Sequence, residues 1–172
     1  MRKPIILAIF LLIQCTPDGI NSGDTVNENT LTEIKILVLA KTNKIRQDQN
    51  LSPLVQSDAM DTLAKYHSDN MVKFNFFSHT DQDGLSPFQR ADKFGYTFSA
   101  MGENIVQIPW GINVLDCGNT KSAEAMAECM VEWWRNSPGH YANMTGDYVE
   151  LGVGISVNDK NEVHGTQVFR TQ

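Results

Sequence analysis

The side chains of this sequence best suited to chemistry are its four histidines and two carboxylates in unusual company. His79 lies in Phe76-Phe77-Ser78-His79-Thr80-Asp81, and His140 in Asn136-Ser137-Pro138-Gly139-His140-Tyr141. Each follows the end of a helical pattern and precedes polar residues, so neither is placed for simple core packing. Glu103 stands in Met-Gly-Glu-Asn-Ile, ahead of an apolar strand, and Glu132 directly precedes the Trp133-Trp134 pair. A buried carboxylate needs a partner or a proton, so each is either a paired structural group or part of a site. Spacing alone does not choose, because His79 and His140 are 61 residues apart and no HExxH or CxxC pattern joins them. His67 shares the apolar face of a helix and reads as a satisfied core residue. Nothing singles out His164. Ser78 neighbours His79 and Ser137 lies near His140, but neither makes a convincing nucleophile–base pair.

Helices and strands must position these groups. Thr30-Leu-Thr-Glu33 fits a capping box, and Ile34, Leu37, Val38, Lys41 and Ile45 carry helical spacing to about Arg46. A second helix is expected from about Ser57 to Val72, with Met60, Ala64, His67 and Met71 on one face. Ser86-Pro87 starts a third, short helix that stops at Gly95. A fourth runs from about Lys121 to Asn136, and Ser137-Pro138-Gly139 ends it. The period then changes to two. Leu151, Val153, Ile155 and Val157 alternate with small or polar residues, Asn158–Asn161 turns, and Val163–Arg170 returns as a second strand. Glu103–Gln107 is a further strand. Helices followed by a hairpin give an α+β domain with helices packed on a sheet.

The 172 residues suit one domain, and 41% hydrophobic with 20% charged residues is an ordinary globular balance. A net charge of −6 argues against nucleic acid, where a basic face would be expected. Three cysteines are too few for a disulfide scaffold. Arg2-Lys3 followed by the nine apolar residues Ile5–Ile13 fits a secretory signal and is too short to span a bilayer. Leu12-Ile13-Gln14-Cys15 resembles a bacterial lipobox, although Gln14 departs from the usual small residue. Residues 1–14 are therefore expected to be a removed signal, Cys15 a lipid attachment point, 15–29 a flexible tether, and 30–172 the folded domain. An ordinary secretory signal with a stray Cys15 is the alternative.

Several strings then add up in order. Asn43-Lys-Ile-Arg46 with Pro53-Leu54, His67-Ser68, Phe77-Ser78-His79, Gly102-Glu103-Asn104-Ile105, WWRNSPGH over Trp133–His140, Gly152-Val153-Gly154, and Thr166–Phe169 match one family's order and spacing. The chain resembles the CAP superfamily (SCP domains; cysteine-rich secretory, antigen 5 and pathogenesis-related 1 proteins), in its bacterial secreted branch. The resemblance implies a three-layer α-β-α sandwich with a small antiparallel sheet between helices. It also implies a cavity lined by His79, Glu103, Glu132 and His140, in which His79 and His140 bind a divalent metal, most often zinc. Two imidazoles leave zinc positions open to water, unlike a closed structural site.

The function so implied is an exported, secreted or lipid-anchored module that binds a lipid, sterol or protein ligand. It is expected to be a monomer that meets a membrane only through its anchor. One alternative is a metal-dependent, peptidase-like hydrolase with Glu103 or Glu132 as candidate catalytic residues. Another makes the four cavity residues a purely structural network. Export places Cys117 and Cys129 in an oxidising compartment, where they are expected to form a disulfide, two separate buried thiols being the alternative. The apolar stretch Gln107–Gly118 reads either as a satellite core under a long loop or as a rim beside the cavity. Asn143-Met-Thr145 fits a glycosylation sequon, which is idle in a bacterial host.

Overall fold

The computed structural model describes residues 26–172, so the expected signal segment and Cys15 lie outside the described residues. Helix α1 spans Glu28–Asp48 and begins two residues before Thr30. Its cap is Asn27, whose side-chain oxygen accepts from both the amide and the hydroxyl of Thr30. Thr30 thus belongs to the first turn, where an unpaired helix amide meets the cap. Helix α2 (Asp58–Phe74) buries Met60, Ala64, His67 and Met71, the face expected from their spacing. Helix α3 (Pro87–Lys93) opens on a reciprocal capping box between Ser86 and Gln89. Helix α4 (Ala123–Arg135) is capped by Ser122.

Ser137-Pro138 does not merely end α4. It opens a further helix, α5 (Pro138–Met144), so His140 sits on a helix and not in a loop. The signature is the one that opens α3: a serine cap followed by Pro, whose missing N–H costs nothing in the first turn.

Among the described residues there are also six strands: β1 (Val55–Gln56), β2 (Ala100–Pro109), β3 (Asn113–Val114), β4 (Gly118–Asn119), β5 (Glu150–Val157) and β6 (Glu162–Thr171). The main sheet has the order β1-β5-β6-β2. Both β5 and β2 run antiparallel to β6, as expected, whereas β1 pairs parallel with Glu150 and Leu151 of β5. The sheet is therefore mixed, because a two-residue strand too short to leave a periodic signal joins its edge. Among the described residues no helix is long and apolar enough to cross a membrane.

Alternation along the strands builds two cores. Leu151, Val153, Ile155 and Phe169 face α1, α4 and α5 with Ile34, Val38, Met130, Trp134 and Met144. On the other face Met101 and Val168 meet Met60, Leu63 and Ala64 of α2 and Ala91 of α3. The result is three layers. Helix α2 lies almost directly on β5 because Gly152 and Gly154 carry no side chain. A Cβ there would come within 2.0 Å of the Met60 carbonyl carbon and 2.2 Å of that of Ala64.

The Asn43-x-x-Arg46 motif is a structural clasp. The Asn43 amide exchanges two hydrogen bonds with the Leu54 backbone. Arg46, 3% exposed, donates to the carbonyls of Ser52, Met144 and Gly146 at 2.8–3.0 Å and reaches that of Tyr148 at 3.4 Å. It ties the end of α1 to the end of α5 and the entry to β5.

Cys117 and Cys129 are bonded, with Cα atoms 5.1 Å apart, so the small β3–β4 hairpin is fastened to α4. The Gln107–Gly118 stretch divides in two. Ile108 and Trp110 enter the first core, whereas Ile112 and Leu115 at the hairpin tip are 52% and 83% exposed.

Candidate functional site

β2 is an edge strand, and the candidate site is assembled along that edge from both helical layers. Glu103 on β2 is buried, its side chain 2% exposed, and its two oxygens are divided between two partners. Oε2 accepts from Arg90 Nη2 of α3 at 2.5 Å. Oε1 accepts from His79 Nδ1 at 2.9 Å. A carboxylate so placed only accepts, so His79 carries its proton on Nδ1 and leaves the Nε2 lone pair free when neutral.

The loop that carries His79 is held by its backbone. Arg90 Nη1 donates to the His79 carbonyl at 2.7 Å and to that of Leu85 at 2.9 Å. His67 Nε2 donates to the Ser78 carbonyl at 2.9 Å and lies 3.8 Å from Glu103 Oε1. Burial pushes the His67 imidazole below its ordinary value, Glu103 opposing and Arg90 reinforcing the shift. His67 is therefore more than core filling: it is a neutral prop under the loop.

His140 approaches from the other side of the β2 edge. Its ring centroid is 6.5 Å from that of His79, with planes 51° apart. Burial, and then the neighbouring His79, lower its pKa, so it is neutral at neutral pH. Its carbonyl accepts from Asn104 Nδ2, which also donates to Gln167, while Asn143 donates to the Glu103 carbonyl and to Asn104 Oδ1. With Trp134 Nε1 donating to the Ile105 carbonyl, side chains of α4 and α5 occupy the outward carbonyls of β2.

The four expected cavity residues thus divide. The structure joins His79 to Glu103 and sets the His140 ring opposite. Glu132, about one-third exposed, pairs with Arg135 on its own helix at 3.0 Å. Among the described residues no group of three or more His, Cys, Asp and Glu side chains is arranged to hold a metal ion. Sequence reasoning missed Arg90, although the requirement that a buried Glu103 find a partner was a signal for such a cation. The polar ladder of Asn104, Asn143 and Gln167 left no spacing signal.

Comparison with known proteins agrees with this architecture. The family model described as "CAP: Cysteine-rich secretory protein family" matches residues 39–169. The uncharacterized protein YkwD of Bacillus subtilis is 30% identical over 118 residues, covering 68% of this chain and 40% of that protein. YlbC of the same organism, described as an uncharacterized membrane protein, is 33% identical over 140 residues, covering 81% and 36%. The chain therefore spans about two fifths of these curated relatives. Among solved structures, an extracellular SCP-domain protein of Bacillus anthracis is 25% identical with a TM-score of 0.66, covering 86% of this chain and 45% of that one. An outer surface protein of Borrelia burgdorferi shares the fold at 22% identity and a TM-score of 0.67, covering 83% and 95%. On its ordered motifs, three layers and matched span, the chain belongs to the CAP, or cysteine-rich secretory protein, family.

Proposed function

We propose that this chain is an exported CAP domain, tethered at the cell surface, that binds a ligand or partner at the His79–His140 cleft with the help of a divalent metal such as zinc. The single observation that carries this reading is the Arg90–Glu103–His79 relay. A carboxylate holding Nδ1–H while Nε2 stays free is the outer-shell arrangement that orients metal-ligating imidazoles. The fit is good in chemistry and loose in distance. Two imidazoles sharing a zinc at about 2.0–2.1 Å would have ring centroids about 5 Å apart. The 6.5 Å observed must therefore close by roughly an ångström, for which the half-exposed His79 side chain has room. His79 and His140 would hold the ion, and when bound it would offer its remaining positions to a ligand.

Binding is favoured over hydrolysis because both Glu103 oxygens are committed and Glu132 is engaged by Arg135, which leaves neither as a ready general base. Arg90, Glu103 and His67 form the buried structural part of the site, and His79 Nε2 with His140 the open part. Export is supported by the basic-then-apolar start of the sequence and by extracellular or surface relatives.

Elemental analysis after dialysis against zinc, on the full chain and on His79→Ala/His140→Ala, tests the metal. About one equivalent retained by the wild type and lost in the double variant is expected. Equal zinc in both would overturn it.

A further inference from the structure

His164 is the third residue of β6, 3% exposed, and among the described residues neither of its ring nitrogens has a hydrogen-bond partner. It sits on the sheet face covered by α2, since Thr166, two residues on, meets Ser68 Oγ of α2 at 2.8 Å. Its register neighbours are Gln107 on β2 and Ser156 on β5, both uncharged. The Phe77 ring covers it at 6.5 Å and 62°. Phe77 belongs to the α2–α3 loop, two residues before His79.

The charges around this imidazole are all occupied or distant. On its own strand Glu162 accepts from Asn158. On α2, Asp69 is held by Ser156 and Lys65, and Lys73 lies over the Phe74 ring. In the loop, Asp81 caps the amides of Asp83 and Leu85. Among the described residues no carboxylate stands within ion-pair range of His164.

We propose that His164 is an acid-sensitive latch for the site: neutral, it lets Phe77 close the loop over the sheet, and protonated, it expels Phe77 and loosens the segment that carries His79. An uncompensated charge in this position must reach water. The sheet cannot yield, because β6 is hydrogen-bonded to β5 and β2 along its length. Phe77 can, being already 49% exposed. His67 does not open the loop itself, since its Nε2–H still donates to Ser78 after protonation.

The sign follows from burial, which lowers the His164 pKa, Glu162 opposing. The closed loop binds fewer protons than the open one. It is favoured above the open-state value, near 6.5, and loses its advantage as pH falls below that.

Hydrogen exchange followed by mass spectrometry on the full chain, at about pH 5 and about pH 7.5 after correction for intrinsic rates, reads the latch directly. Wild-type peptides covering residues 74–80 should lose protection in acid by about tenfold, the sense expected of a closed loop that binds fewer protons. His164→Gln and His164→Leu should remove that response. A wild type with no acid response, or the same response in both variants, overturns the proposal. Should the variants not fold, proton NMR of the wild type decides. The His164 ring should titrate below the ordinary imidazole range together with a shift of the Phe77 ring, and titration without that shift overturns the latch. The link to binding rests on the function proposed above, yet the two fail separately. Absence of zinc binding with an intact His164-dependent loop response would sink the function alone, and the converse would sink the latch alone.

Discussion

Replacing Arg90 by Ala leaves the Glu103 carboxylate almost fully buried with His79 as its remaining hydrogen-bond donor. The same change frees the carbonyls of His79 and Leu85 inside the loop. Removing one partner of a buried ion pair costs about 3–5 kcal/mol, because the survivor keeps its desolvation penalty without its counter-charge. In a domain of this size that corresponds to a melting temperature lower by roughly 9–15 °C. Arg90→Met with Glu103→Leu removes both charges and should return to within about 2 kcal/mol of the wild type, since an apolar pair of similar volume has no desolvation to offset. Urea unfolding followed by circular dichroism on the wild type, Arg90→Met, Glu103→Leu and their double variant gives the coupling energy, with Arg90→Ala measured alongside. A cost below about 1 kcal/mol for Arg90→Ala, or single-variant costs that simply add, would falsify the account of Arg90 as the counter-charge of the site.

Reducing the Cys117–Cys129 bond, or Cys117→Ser with Cys129→Ser, should cost about 3 kcal/mol for a 12-residue separation in the chain-entropy treatment. Calorimetry with and without reductant should show it, and an unchanged melting temperature would count against a stabilising bond. Gly154→Ala should cost about 3 kcal/mol or more, because its Cβ would land 2.2 Å from the Ala64 backbone, whereas Gly139→Ala, with nothing within 4 Å, should stay within about 0.5 kcal/mol of the wild type. Equal stability of the two alanine variants in denaturant titrations would contradict the close packing of α2 on β5.

The parts of the fold legible in the sequence are those with a local signal. Ser86-Pro87 announced α3, and the alternation of Leu151, Val153 and Ile155 announced β5. Ser137-Pro138 carried the same announcement, but directly after α4 it reads as a stop as readily as a start. β1 is two residues long, and no period exists in two residues. In the site, Glu103 stood out because a carboxylate ahead of an apolar strand needs a partner. Arg90 did not, because an arginine on a short polar helix looks like any solvated surface charge until tertiary packing encloses it. The Glu132–Arg135 pair is an ordinary helical i, i+3 contact, and only coordinates show that Glu132 makes it.

The Arg46 clasp has a temporal meaning. The carbonyls of Met144, Gly146 and Tyr148 that it grips lie 98 to 102 residues further along the chain. While the chain is being made, Arg46 emerges early and waits, its guanidinium solvated, until nearly the whole domain has followed. Parallel pairing of β1 with β5 imposes the same delay. Closing such distant contacts is slow, and no N-terminal fragment can finish a core of its own. The nascent domain therefore cannot close on itself until synthesis is almost complete, so its folding follows translation instead of accompanying it.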